Sequence, residues 1–189
     1  MEQRFLSGSM VDLMIEFVKA LLIIFPAYAA NGFPPLARGT KPIDFGKKWF
    51  DKNRIFGDGK TFEGFGFGLF VGFLIGALES YLYPDLNSYA MQYGVKLPLI
   101  NLFVGFMIAL GALCGDLAGS FIKRRFGLKR GADVPLLDQW NFIIGAVIFA
   151  YFFTEITIWM FLIMLLITPI IHRIANIIAH KIRVKKEPW

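Results

Sequence analysis

Five long apolar runs, separated by segments that gather nearly all of the charge, set the pattern of this chain. An α-helix needs about 20 residues to cross about 30 Å of hydrocarbon. The runs predict membrane spans at about 11–30, 65–83, 97–113, 140–153 and 156–179. Asp12, Glu16 and Lys19 fall near the start of the first. Fusing the last two would give one helix of about 30 residues, roughly 45 Å long at 1.5 Å per residue, with Glu155 near mid-membrane. A tight hairpin at Thr154-Glu155 is the better solution, although it leaves the fourth span short. Pro169 falls inside the fifth, where neighbouring helices tolerate a kink. The predicted fold is an all-α integral membrane protein of about five transmembrane helices, a single membrane domain over 1–189 with polar loops at 31–63 and 114–139.

Charge fixes the expected orientation. The first loop carries Arg38, Lys41, Lys47, Lys48, Lys52, Arg54 and Lys60, and the second carries Lys123, Arg124, Arg125, Lys129 and Arg130. The tail adds Lys181, Arg183, Lys185 and Lys186, whereas the amino-terminal arm has Arg4 and the 84–96 connection only Lys96. With five spans, both basic loops and the tail share one side, which the positive-inside rule makes the cytoplasm. The amino terminus is then outside, and a site built from the loops faces the cytoplasm from a multi-pass protein of the cell membrane.

Composition agrees with this class. Of 189 residues, 56% are hydrophobic and 18% charged, against about 25% charged in soluble domains. The single cysteine, Cys114, excludes a disulfide framework, and no small-residue cleavage site follows the first run. In the second span Gly64, Gly68, Gly72 and Gly76 are spaced by four, with Gly66 between, so one face is stripped for close helix packing. The span interiors are almost purely apolar, which argues against a transporter or channel. The basic excess is spent at a membrane surface, and no nucleic-acid partner is expected.

Three stretches of the loops could carry chemistry. Asn31-Gly-Phe-Pro-Pro35 stops the first helix, and Asn31 offers a donor and an acceptor to a base or phosphate. Gly57-Asp58-Gly59-Lys60-Thr61 enters the second span; glycine backbone, an ammonium and a hydroxyl at a helix amino terminus suit phosphate, although Thr61 could equally cap the helix. The third stretch runs from Gly115 to Gln139. Asp116, Ser120 and Lys123 are spaced four and three apart and can share a helical face. Asp116 follows an apolar span directly, where an unpaired carboxylate is costly; it is either functional or salt-bridged to a lysine. Asp138, at the start of the fourth span, is a functional carboxylate or a helix cap. Carboxylates beside basic groups at a membrane surface suit a metal-bridged polyphosphate, because magnesium takes one or two protein carboxylates with phosphate oxygens and waters.

At these residues the chain resembles the CDP-diacylglycerol synthase family. Lys60-Thr61-Phe62-Glu63-Gly64-Phe65 is similar to its Lys-Thr-aromatic-Glu-Gly-Phe stretch, and Gly115, Asp116, Ser120, Lys123, Arg124, Gly127, Lys129, Pro135, Leu137 and Asp138 follow its longer pattern. The chain departs from that pattern at Gln139, where the family has arginine, and at Asn141, where it has aspartate; an insert after the proline is also missing. Together with the Asn31 stretch, it looks like the archaeal branch, the CDP-archaeol synthases. The resemblance implies a cytidylyltransferase that moves CMP from CTP to a phosphorylated isoprenoid-ether glycerol lipid, releasing pyrophosphate with Mg2+. It implies that Asp116 and Asp138 hold the metal and that Lys123, as a catalytic group, Arg124 and Lys129 meet phosphates. Asn31, Lys60, Thr61 and Ser120 would complete the CTP site. A CTP-dependent lipid kinase would use similar loops, and a non-enzymatic lipid-binding scaffold would not need Asp116 or Asp138. Chain type of the lipid, one metal or two, and oligomeric state are left open by the residues.

Overall fold

A computed structural model describes residues 2–184, with side chains from residue 10 onward; Lys185 and Lys186 of the basic tail lie outside the described residues. The described residues form five α-helices: α1 Glu2–Gly32, α2 Phe62–Met91, α3 Leu102–Arg125, α4 Leu137–Ala150 and α5 Ile158–Lys181. Among the described residues, α2, α3 and α5 are long and apolar enough to cross a membrane, and α4 is a shorter apolar helix. The break between α4 and α5 spans 151–157 and contains the Thr154-Glu155 position.

Several helix limits differ from the apolar runs. The third begins at Leu102 rather than Leu97, because Pro98 holds Leu97 in an extended backbone and the Asn101 side chain accepts the Val104 N–H as an amino-terminal cap. Leu97 and Ile100 are still buried. At its other end α3 continues to Arg125, so Asp116, Ser120, Lys123 and Arg124 stand on a helix and not in a loop. The first loop also holds structure: a 3-10 turn over Pro34–Ala37 and two isolated bridges, Pro42 to Thr61 and Lys48 to Arg54.

Successive helices run antiparallel, and glycine decides how closely. A Cβ on Gly76 would stand 2.6 Å from the Gly105 Cα, and one on Gly72 would stand 2.7 Å from the Ala109 Cβ and 3.0 Å from the Pro26 carbonyl. The stripped face of α2 therefore packs on α1 and α3 at once. Gly66 meets nothing within 4 Å and takes no part in it. On its opposite side α3 does the same to α4: a Cβ on Gly111 would press on Gly145 and Phe149, and Gly115 and Gly119 both abut Asn141. The core is the seam of α1, α3, α4 and α5, with Ile24, Ile108, Phe142 and Met164 at most 1% exposed. Tyr28 donates to Thr168, and the Trp140 indole to the Leu165 carbonyl, so α5 is tied to both α1 and α4.

One residue corrects the apolar reading of the span interiors. Glu79, within α2, has both carboxyl oxygens shielded and no hydrogen-bond partner among the described residues. The register of the helices also gathers the polar segments. The 33–61 segment, the α3–α4 connection and the end of α5 all lie at one end of the bundle, and the 92–101 and 151–157 connections lie at the other.

Candidate active site

The site is built where the first polar segment folds back on the basic end of α3. Its organiser is Asp44, 4% exposed. One carboxyl oxygen accepts the Phe56 and Gly57 N–H groups at 3.0 and 2.9 Å and the Arg54 Nε at 3.2 Å. The other accepts Arg54 at 2.5 Å and the Gly46 N–H at 3.1 Å. Arg54 then reaches Asp58, and its carbonyl accepts from Arg125 at 2.5 Å. Asp51 pairs with Arg125 at 3.3 Å, so the whole segment is clasped to the last turn of α3. Burial alone would raise the Asp44 carboxyl, but the hydrogen bonds from Arg54, Gly57, Phe56 and Gly46 outweigh it and hold the group well below the usual carboxylate range.

That knot aims the Gly57–Thr61 turn at α3. Gly57 lies against the Arg124 side chain, 3.6 Å from its Cδ to the position a Cβ would take, and Gly59 lies against Arg130. Lys60 forms an ion pair with Asp116. Its neighbour Thr61 is 8% exposed, and its hydroxyl accepts the Gly64 N–H at 3.1 Å, which makes it the cap of α2. The second ion pair joins Lys123 to Asp138 at 2.7 Å. Asp138 also accepts the Val134 N–H at 3.1 Å, and Lys123 donates to the Ala132 carbonyl at 3.3 Å. Leu136, between them, adopts φ 68° with the Leu137 N–H bonded to the Pro135 carbonyl, a strained three-residue turn directly before the carboxylate. Burial pulls the Arg124 guanidinium below its ordinary value, and the Asp138 charge opposes that pull.

Lys60, Asp116, Lys123, Arg124 and Asp138 are therefore gathered at one end of α3. Ser120 is buried one turn beyond Asp116, beside Gly119 where the Asn141 amide packs. Lys129 is exposed, and it is its carbonyl that accepts from Arg124. Asn31 lies in the last turn of α1, and neither lysine–aspartate pair includes it. Asp44, Arg54 and Arg130 were not anticipated as site residues. Asp44 looks like any turn aspartate in sequence, since its partners lie ten or more positions away.

No group of three or more metal-ligating side chains exists among the described residues. The two carboxylates fit a metal that arrives on a polyphosphate, which needs few protein ligands. Each is about one-fifth exposed and charge-balanced by a single lysine, and a phosphate chain could attract those lysines away. Chemically, the arrangement offers two anionic oxygen ligands and several cations around one basic turn.

Residues 10–189 match the family described as CarS-like: CDP-archaeol synthase. CDP-archaeol synthase of Pyrococcus horikoshii is 47% identical over 176 residues, covering 93% of this chain and 99% of that one. The Methanococcus maripaludis protein of the same name is 44% identical over 182 residues, covering 95% and 100%. A solved structure of an intramembrane enzyme for archaeal membrane lipid biosynthesis superposes with a TM-score of 0.73 at 34% identity, covering 85% of this chain and 94% of that one.

Asp44 generates a test. Asp44→Asn removes the anion that five donors converge on and should destabilise the protein by about 2–3 kcal/mol. Because the folded carboxyl lies below its unfolded value of about 4, its contribution is complete above that value and is lost as pH falls through the depressed one. The difference in melting temperature between wild type and Asp44→Asn should be largest at neutral pH and shrink progressively below about pH 4. A difference that is constant down to pH 3, or absent at pH 7, contradicts this role.

Proposed function

The chain belongs to the CarS-like family, the CDP-archaeol synthases, and on that premise we propose that Asp116, Asp138, Lys60, Lys123 and Arg124 carry its reaction. The activity is cytidylyl transfer that forms CDP-archaeol, by a multi-pass membrane protein whose substrates are CTP and the phosphorylated ether lipid. A single observation carries the residue assignment. Two lysine–aspartate pairs stand at the one end of the bundle where both basic segments converge, and Arg124 lies beside them.

In the reaction, an oxygen of the lipid phosphate attacks the α-phosphorus of CTP. The new P–O bond forms as the bond from that phosphorus to the β-phosphate bridge breaks, and pyrophosphate leaves. The nucleophile is a phosphate monoester with a second pKa of about 6, so it is mostly dianionic at neutral pH and needs no general base. What it needs is alignment and neutralisation of charge. Lys60, presented by the glycine turn, and Lys123 with Arg124, presented by α3, supply cations for the phosphates. Asp116 and Asp138 would hold magnesium, which when bound supplies charge stabilisation at the phosphate oxygens. Thr61 positions Lys60 by fixing the start of α2. Lys129 is exposed at the same end of α3, Ser120 is buried one turn beyond Asp116, and Asn31 stands in the last turn of α1. The chemistry of the donor set, two carboxylates among several cations, supports one shared phosphate-bound metal rather than a protein cage.

The cytoplasm is the side assigned to this end, with the amino terminus outside and the carboxyl terminus inside, because the basic residues collect there. Tags in sealed vesicles should show the two termini on opposite faces; both termini on one face would contradict the assignment.

Label separates transfer of CMP from transfer of a phosphoryl group. With CTP labelled at the α-phosphate the lipid product should carry the label, and with CTP labelled at the γ-phosphate it should not; the reverse would mark a lipid kinase. Asp116→Asn and Asp138→Asn should each lower turnover at least about a hundredfold, near 2.7 kcal/mol of barrier, with the double variant scarcely worse. Asp133, which faces Arg173 of α5 at 3.5 Å, should tolerate Asn. Near-normal magnesium-dependent turnover in both single variants would sink the assignment.

A further inference from the structure

The segment that carries Asp44 also carries apolar rings that the described residues leave largely exposed. Phe50 is 92% exposed, Phe45 71% and Trp49 45%. These rings are not on a loose loop. Lys48 bridges to Arg54, the Trp49 N–H donates to the Asn53 carbonyl at 2.8 Å, and the Lys52 N–H donates to the Trp49 carbonyl at 2.9 Å. The Lys48–Arg54 stretch is a small closed hairpin held against α3 that presents Trp49 and Phe50 on a fixed backbone, and Phe45, just before it, packs on Phe62 with ring centroids 5.2 Å apart.

Its level along the bundle is set by a ring contact. Trp49 packs edge-on against Phe121, with centroids 5.4 Å apart, and Arg125 lies over the same Phe121 ring at 4.5 Å. Phe121 lies 19 residues beyond the first residue of α3, about 29 Å along the helix axis at 1.5 Å per residue. That distance is close to the thickness of the hydrocarbon layer, about 30 Å. With the first residue of α3 set at one face of the hydrocarbon layer, Trp49 falls at the other, the depth at which tryptophan concentrates in membrane proteins. The surrounding charge has the sign that such a boundary selects. Lys47, Lys48 and Lys52 are exposed around the rings, and Asp51, the acid of the tip, is turned inward to Arg125 and Asn53.

We propose that this hairpin tip is an interfacial anchor, with Phe45, Trp49 and Phe50 inserted at the headgroup–acyl boundary of the bilayer that the helices span and its three lysines on anionic headgroups. Apolar burial and basic charge act together in such anchors. The consequence is mechanical. The tip continues directly into Arg54, the Asp44 knot and Lys60, so the bilayer surface holds the cap of the site at the level where a lipid phosphate would lie.

The test is a depth measurement that needs no substrate. Phe50→Cys is placed in a Cys114→Ser background, spin-labelled and reconstituted in vesicles of zwitterionic lipid with about one-third anionic lipid, a mixture in the anionic range considered for cytoplasmic leaflets. Collision of the label with oxygen should exceed collision with a water-soluble nickel chelate several-fold, and a label at Phe45→Cys should behave alike should the first variant fail to insert. A label more accessible to nickel than to oxygen overturns the proposal, because the tip is then in water. A label shielded from both overturns it as well, because the tip is then covered by a second copy of the chain. None of these outcomes depends on the assignment of the catalytic residues.

Discussion

Close approach of α3 to two helices at once is the constraint on which the rest of the structure depends. Gly105 meets Gly76 of α2 backbone to backbone, and Gly111, Gly115 and Gly119 meet Gly145 and Asn141 of α4. In hydrocarbon no hydrophobic effect drives helices together, so contact of this kind has to come from surfaces with no side chain in the way. The same face that packs in the membrane continues past it. Asp116, Lys123 and Arg124 leave the bundle at fixed angles because they are turns of one uninterrupted helix. Asp138 is brought to them by the α4 contact, and Lys60 by the α2 contact.

The two ion pairs give that geometry its chemical meaning. A carboxylate at the edge of a bilayer is costly alone, and a lysine partner removes much of the cost. Such pairs also hold the side chains in place. Under the proposed function, a triphosphate carrying magnesium would offer each partner a stronger counterpart, the lysine a phosphate and the aspartate a metal, so the pairs would open without leaving a bare charge. The Asp44 knot belongs to the same economy of charge. It fixes the turn before Lys60 with backbone donors and Arg54, and so the lysine arrives at Asp116 from a preformed loop.

Much of this was legible along the chain. Apolar runs marked the helices, the Thr154-Glu155 break separated α4 from α5, and the four-residue glycine spacing marked the packing face of α2. Asp116, Ser120 and Lys123 were legible as one helical face, although the charges around them disguised the helix as a loop. The alternative roles were legible too: Thr61 is a cap, and Asp116 does hold a lysine, one 56 positions away that no local pattern announces. Asp44 was not legible, because its partners are donors from a folded-back turn. Glu79 was not legible as an unpaired group, since one acid in an apolar run does not reveal what faces it. The start of α3 was hidden because Leu97, Leu99 and Ile100 are apolar, while Pro98 and the Asn101 cap keep them outside the helix.

The central claim is that Asp116 and Asp138, from two different helices, serve one metal–nucleotide complex. Calorimetric titration of CTP into purified protein, with and without magnesium, tests it without turnover. Wild type should bind CTP at least tenfold more tightly with magnesium, about 1.4 kcal/mol. Asp116→Asn and Asp138→Asn should each abolish most of that gain. A magnesium gain that survives intact in either variant would show that the two carboxylates do not act on the same complex.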